Sequence, residues 1–174
     1  MGIVTTSSET TFKQSPEAIY DFVSNPANWT KTYFGGPIIR NLPDRLPLEV
    51  GDTWDEAHPD PQKDRVFTWQ LAIAARPTLF VFSSVGRLGR DSEGNGGLEG
   101  RMTIEYHFTR PEEGRTLFTR TMTIETSKHA PVDRRLLPHG QSHLHRQLSR
   151  SGGPRTRTLA RRLIEGSPQR RALH

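Results

Sequence analysis

The hydrophobic pattern changes period early in the chain. "GIVTTSSETTFK" mixes β-branched and small polar residues, the composition of a strand. In "SPEAIYDFVSNP", Ile19, Phe22 and Val23 recur at helical spacing and build one apolar face. Ser15 is placed to cap that helix, Pro16 suits its first turn, and Glu17 complements the positive end of its dipole. Asn25-Pro26 stops it, and residues 27–33 predict a second short helix before Gly35-Gly36-Pro37.

Beyond Pro37 the period becomes two. "PIIRNL", "GDTWDEAH", "RVFTWQLAIAA", "TLFVFSSVGRL", "RMTIEYHFT" and "RTLFTRTMTIET" each read as a strand. Phe67, Trp69, Leu71 and Ile73 share one face of the third, with Val66, Thr68 and Gln70 on the other. Met102, Ile104, Tyr106 and Phe108 face one way in the fifth, and Phe118, Met122 and Ile124 in the sixth, with Arg120 between them. "GRDSEGNGG" is a polar turn and "PEEG" a tight hairpin turn. Short connections pair consecutive strands antiparallel. The order predicts an α+β fold: a curved antiparallel sheet of about seven strands, with helices segregated on one side to cover its apolar face.

Charge divides the chain. Residues 128–174 hold 11 Lys and Arg against Asp133 and Glu165, a net +9, and none of the 14 aromatic residues. Residues 1–127 carry a net −4. The expected organisation is a globular domain over 1–127 and a basic, Pro- and Gly-interrupted tail over 128–174. No apolar run approaches a membrane span, and the start lacks the charged and apolar regions of a signal peptide. There is no cysteine, so disulfides and thiolate metal sites are excluded and a cytoplasmic location is the expectation.

The ordered set "TTFKQSPEAIYDFVSNPANWTKTYF", "VGDTWDEA", "FTWQLAIAARPTLFVFSS" and "MTIEYHFTRPEEGRTLFTRTMTIE" resembles the START-like (SRPBCC) superfamily over about residues 3–127, in particular its polyketide cyclase/dehydrase-type members. The resemblance implies a helix-grip fold, in which a seven-stranded sheet wraps a long C-terminal helix around an apolar cavity. It also implies a hydrophobic ligand such as a lipid or polyketide, and cyclisation or dehydration in some members. It carries over no shared catalytic residue. The tail departs from the pattern: Pro131, Pro138, Pro154, Pro168 and Gly152-Gly153 oppose an uninterrupted closing helix. Only residues 142–150 and 158–165 keep leucines at helical spacing.

The candidate chemistry lies on the strands. If Phe118, Met122 and Ile124 face the cavity, so does Arg120, which would pair with a ligand carboxylate or enolate, or with a structural Glu. Trp54, Glu56 and His58 alternate; with Trp54 inward, Glu56 faces the cavity as a proton-transfer group or pairs with Arg120, and His58 lies near the mouth. Tyr106 is a candidate positioner through its hydroxyl. Trp54, Phe67, Trp69, Phe82, Met102, Phe108, Phe118 and Met122 are the candidate ligand-binding wall. His139, His143 and His145 make a weak metal tract, because Pro138 and Gly140 oppose a helix there and no carboxylate lies close by. No metal and no cofactor is expected.

The expected function is binding of a hydrophobic small molecule between sheet and helices, with or without cyclase/dehydrase activity. The alternative is a nucleic-acid- or anionic-surface-associated protein using the basic tail. Nucleic acid is disfavoured because no aromatics are interleaved for stacking. The tail reads better as a disordered extension, or as sequence never selected for this fold, the signature of a reading-frame slip in GC-rich DNA. Oligomeric state and ligand identity stay open.

Overall fold

The computed structural model describes residues 2–31, 36–111, 114–127 and 156–159. Its strands are β1 (Gly2–Phe12), β2 (Ile38–Arg40), β3 (Thr53–Ala57), β4 (Val66–Ala75), β5 (Leu79–Leu88), β6 (Leu98–Thr109), β7 (Thr116–Thr126) and β8 (Thr156–Leu159). They form one antiparallel sheet in the order β2-β3-β4-β5-β6-β7-β1-β8. Helix α1 (Pro16–Val23) and a 3₁₀ helix (Pro26–Lys31) lie between β1 and β2. The α+β architecture and the antiparallel order of the sequence pattern are thus realised.

Local chemistry accounts for α1. Ser15 Oγ accepts the Ala18 N–H at 3.2 Å, Pro16 opens the helix, and Ser24 N–H closes it on the Tyr20 carbonyl at 2.8 Å. Ile19, Tyr20 and Val23 form its buried face. Tyr20 meets Phe80 edge-on at 6.0 Å and Phe108 at 5.4 Å. Two ion pairs tie the outer side of the helix to the hairpin ends, Asp21 to Arg76 at 2.6 Å and Glu17 to Arg110 at 3.0 Å. Both pairs are solvent-exposed, so apolar contact is the larger force holding the helix down. Thr116, fully buried, donates to the Gln14 carbonyl at 2.7 Å and anchors the β1–α1 link to β7.

The sheet curls where its regular pairing is interrupted. In β4, Leu71 faces Phe82 but Ile73 faces Val81, so Ala72 is an extra residue opposite β5. The bulge turns the pleat over. Leu71 stays in the core while Ile73 is 42% exposed, so the uniform alternation that placed Ile73 beside Leu71 does not hold beyond Ala72. Gly86 in β5 has φ +104°, and its partner in β6 is Gly100, where a Cβ would overlap the Glu125 carbonyl. Only glycine permits that conformation and that approach. The "GRDSEGNGG" turn is closed by Asp91, whose Oδ1 accepts the Asn95 N–H at 2.6 Å.

Of residues 128–174 only 156–159 are described. They form β8 on the edge of β1, Ser7–Thr10 facing 159–156, where the leucine spacing of 158–165 had placed the start of a short helix. Threonines favour strand over helix interior, and the β1 edge offers unpaired N–H and C=O groups. The closing helix, residues 142–150, the histidine tract, and the tail as a nucleic-acid arm, disordered extension or unselected sequence lie outside the described residues. So does the "PEEG" turn centre. No helix among the described residues is long and apolar enough to cross a membrane.

The bulge makes an asymmetric prediction. Leu71→Ala is expected to cost about 2–5 kcal/mol and Ile73→Ala no more than about 0.5 kcal/mol, read as urea midpoints. Equal losses would mean that Ala72 does not reverse the pleat.

Candidate functional site

The inward face of the sheet is an aromatic surface. Phe82 (2% exposed) contacts Trp29 at 5.2 Å, Trp54 at 5.5 Å, Trp69 at 5.1 Å and Tyr106 at 5.4 Å between ring centroids. Phe67 stacks on Trp69 at 5.7 Å. Met102, Ile104, Met122 and Ile124 are buried on the same face, in cross-strand register: Met102 faces Ile124 and Ile104 faces Met122. The alternation in β6 and β7 therefore placed these side chains on the correct side of the sheet.

Not every predicted wall residue shares one environment. Phe108 and Phe118 pack on each other at 5.3 Å, with Tyr20 of α1 on Phe108 and Phe12 on Phe118. This end of the face is filled by α1. Trp54, Phe67, Trp69, Phe82, Met102 and Met122 lie outside that plug.

Three polar groups enter the aromatic face. Arg120 stands in β7 between Phe118 and Met122, directly across from Tyr106 on β6 and Ser8 on β1. Its Nε is buried and has no hydrogen-bond partner. Trp54, 1% exposed, has a buried indole N–H that is also unpartnered. Glu56 accepts the Trp69 indole N–H at 2.8 Å on Oε2. The residue keeps partial exposure, but its carboxyl group is enclosed by protein. That burial pushes its pKa above the ordinary carboxyl value; the Trp69 hydrogen bond and the positive charge of Arg120 oppose the shift without cancelling it.

Glu56 and Arg120 thus sense each other although β4, β5 and β6 separate their strands. Four strand spacings on a flat sheet would place their backbones about 19 Å apart. Curvature and two long side chains shorten the gap. They form no direct ion pair. Tyr106 is buried, with its ring against Phe80, Phe82 and Phe118. His58 is not brought in. It follows the end of β3, and its Nδ1 accepts the Asp60 N–H at 3.0 Å in the next turn.

Phe80 and Trp29 belong to this surface and were absent from the predicted wall. Phe80 was accessible to the same alternation that selected Phe82, two residues away. Trp29 had no periodic signal, because it sits in a single 3₁₀ segment, held by its own indole N–H on the Val23 carbonyl at 2.8 Å. Among the described residues no group of three acidic or histidine side chains is arranged to hold a metal.

No family model and no curated protein matches the chain. Solved structures do. A Chromobacterium violaceum protein, 14% identical, aligns with a TM-score of 0.59 over 84% of this chain and 94% of its own. Major latex-like protein 151 from Panax ginseng, 13% identical, gives 0.56 over 85% and 93%. An HSP90 activator from Plasmodium falciparum, 11% identical, gives 0.56 over 88% and 99%. At such identities the likeness establishes the fold alone, a helix-grip type of sheet.

The raised pKa of Glu56 has a definite sign. A carboxyl whose folded value exceeds its unfolded value stabilises the fold while protonated. That contribution is complete below 4.5, its ordinary value, and is lost as pH rises through the raised one. Wild type should therefore lose stability relative to Glu56→Gln as pH is raised from about 4 to 8. Urea midpoints of the two proteins at each pH check this, and the difference removes the opposite contributions of Glu17, Asp21 and Asp52, whose partners lower their pKa values. A pH-independent difference would place the Glu56 carboxyl in water.

Proposed function

We propose that the protein binds a hydrophobic small molecule, lipid or polyketide-like, on the inward face of the sheet beside α1 and the Pro26–Lys31 helix. The observation that carries this reading is an aromatic face with unpartnered polar atoms buried in it. Leaving a buried donor unmade costs about 1–3 kcal/mol each, and a surface with a few such groups in an apolar frame is the usual make-up of a ligand site. The fold supports the reading because its curved sheet leaves one face to be filled.

The finer proposal is acid–base chemistry. Glu56, held toward its protonated form, is the proton-transfer group. Arg120 meets the developing oxyanion, and Tyr106 positions a polyketide-like substrate for cyclisation or dehydration. On a poly-β-ketone substrate Glu56→Gln should lower turnover by about 10²- to 10⁴-fold. Unchanged turnover in both Glu56→Gln and Arg120→Met overturns the catalytic reading and leaves the binding reading intact.

Binding itself is tested with N-phenyl-1-naphthylamine, a neutral apolar dye. We expect saturable fluorescence gain with matching quenching of tryptophan emission, since Trp54 and Trp69 line the face, and no change with added salt. No saturable uptake would overturn the proposed function.

A further inference from the structure

Among the described residues, the inward face holds a charge that no side chain meets in an ion pair, that of Arg120. Its Nε is buried without a partner. Its cross-strand neighbours, Tyr106 on β6 and Ser8 on β1, are uncharged. Glu56 is the acid whose charge acts with that of Arg120, but Oε2 already takes the Trp69 N–H and burial favours its neutral form. The second orphan, Trp54 Nε1, is a donor with no acceptor. Both unmet groups are donors. What is missing is acceptor oxygen and negative charge.

The two donors share one floor. Phe82 lies against Trp54 at 5.5 Å and against Tyr106 at 5.4 Å, and Tyr106 is the cross-strand neighbour of Arg120. A guanidinium is the side chain best matched to a two-oxygen anionic head, and the indole N–H is a rigid single donor.

We propose that the ligand of this face is an apolar carboxylate or enolate, its anionic head held by Arg120 and Trp54 Nε1 and its apolar frame lying on Phe82 and Tyr106. The assignment rests on the reading that the face binds a hydrophobic small molecule. It adds the ligand's charge and names Trp54 as a binding group through its N–H, beyond its ring. A neutral apolar ligand would bury the guanidinium uncompensated, and a cationic one would add repulsion to that cost.

The test is calorimetric titration of the full chain with 2-naphthoate and with its methyl ester, which has the same ring and no charge. The acid is expected to bind about tenfold or more tightly than the ester. Arg120→Met should abolish the preference for the acid, weakening the acid while the ester binds at least as tightly as before. Trp54→Phe keeps an aromatic ring and loses the N–H, and should weaken both ligands about three- to tenfold. Circular dichroism checks each fold, and Arg120→Gln, which keeps a polar side chain and removes the charge, takes the place of Arg120→Met if that variant does not fold, with the same loss of preference expected. Equal affinity of acid and ester in wild type overturns the anion assignment while apolar binding stands. A preference for the acid that survives removal of the Arg120 charge places the anion elsewhere and also overturns it. If neither ligand binds and the neutral dye does not bind either, the proposed function itself falls.

Discussion

The ring of Phe82 is the contact on which the rest of the molecule depends. It sits in the middle strand of the sheet and touches aromatic side chains from β3, β4, β5 and β6, and from the 3₁₀ helix. A flat sheet could not bring Trp54 and Tyr106 onto the same ring from strands on either side of it. The inward curl is thus required by the core as well as permitted by the bulge at Ala72 and the Gly86–Gly100 pair. Helix α1 then needs only a short apolar face, because Phe80 and Phe108 already present a shaped surface to Tyr20.

That curl has an electrostatic result. Side chains from strands far apart in sheet order converge over one apolar surface, where screening by water is weak. Glu56 and Arg120 are the case in point. On an open sheet each would be a solvated charge. Here burial pushes the carboxyl toward its neutral form, and among the described residues the two groups share the face without an ion pair. Tyr106 and Phe82, between them, make the intervening surface apolar.

Periodicity made the fold and the inward placement of much of the candidate site legible. Met102, Ile104, Tyr106 and Phe108 read as one face because β6 is regular along that stretch, and Arg120 was caught between two buried neighbours for the same reason. The Ser15 cap was legible because capping is local chemistry. Ile73 was misplaced because a bulge is a single inserted residue, and no pattern of period two records it. Trp29 was missed because a 3₁₀ turn is too short to have a period. The missing partner of Trp54 Nε1 was beyond sequence altogether, since hydrogen-bond satisfaction is a property of surroundings assembled from several strands and the 3₁₀ helix. The strand at Thr156–Leu159 was hidden by leucine spacing that also suits a helix; the available edge of β1 decided the matter.

That edge also bears on strand addition between molecules. The opposite margin of the sheet is β2, three residues long and a poor template for a visiting strand. The β1 margin is eleven residues of mostly threonine and serine, a far better template, and its middle is occupied by the chain's own Thr156–Leu159. Self-association by strand addition is thereby competed out by an intramolecular partner at high effective concentration. A shortened chain ending before Thr156 would leave the Ser7–Thr10 edge open to strand addition from another molecule.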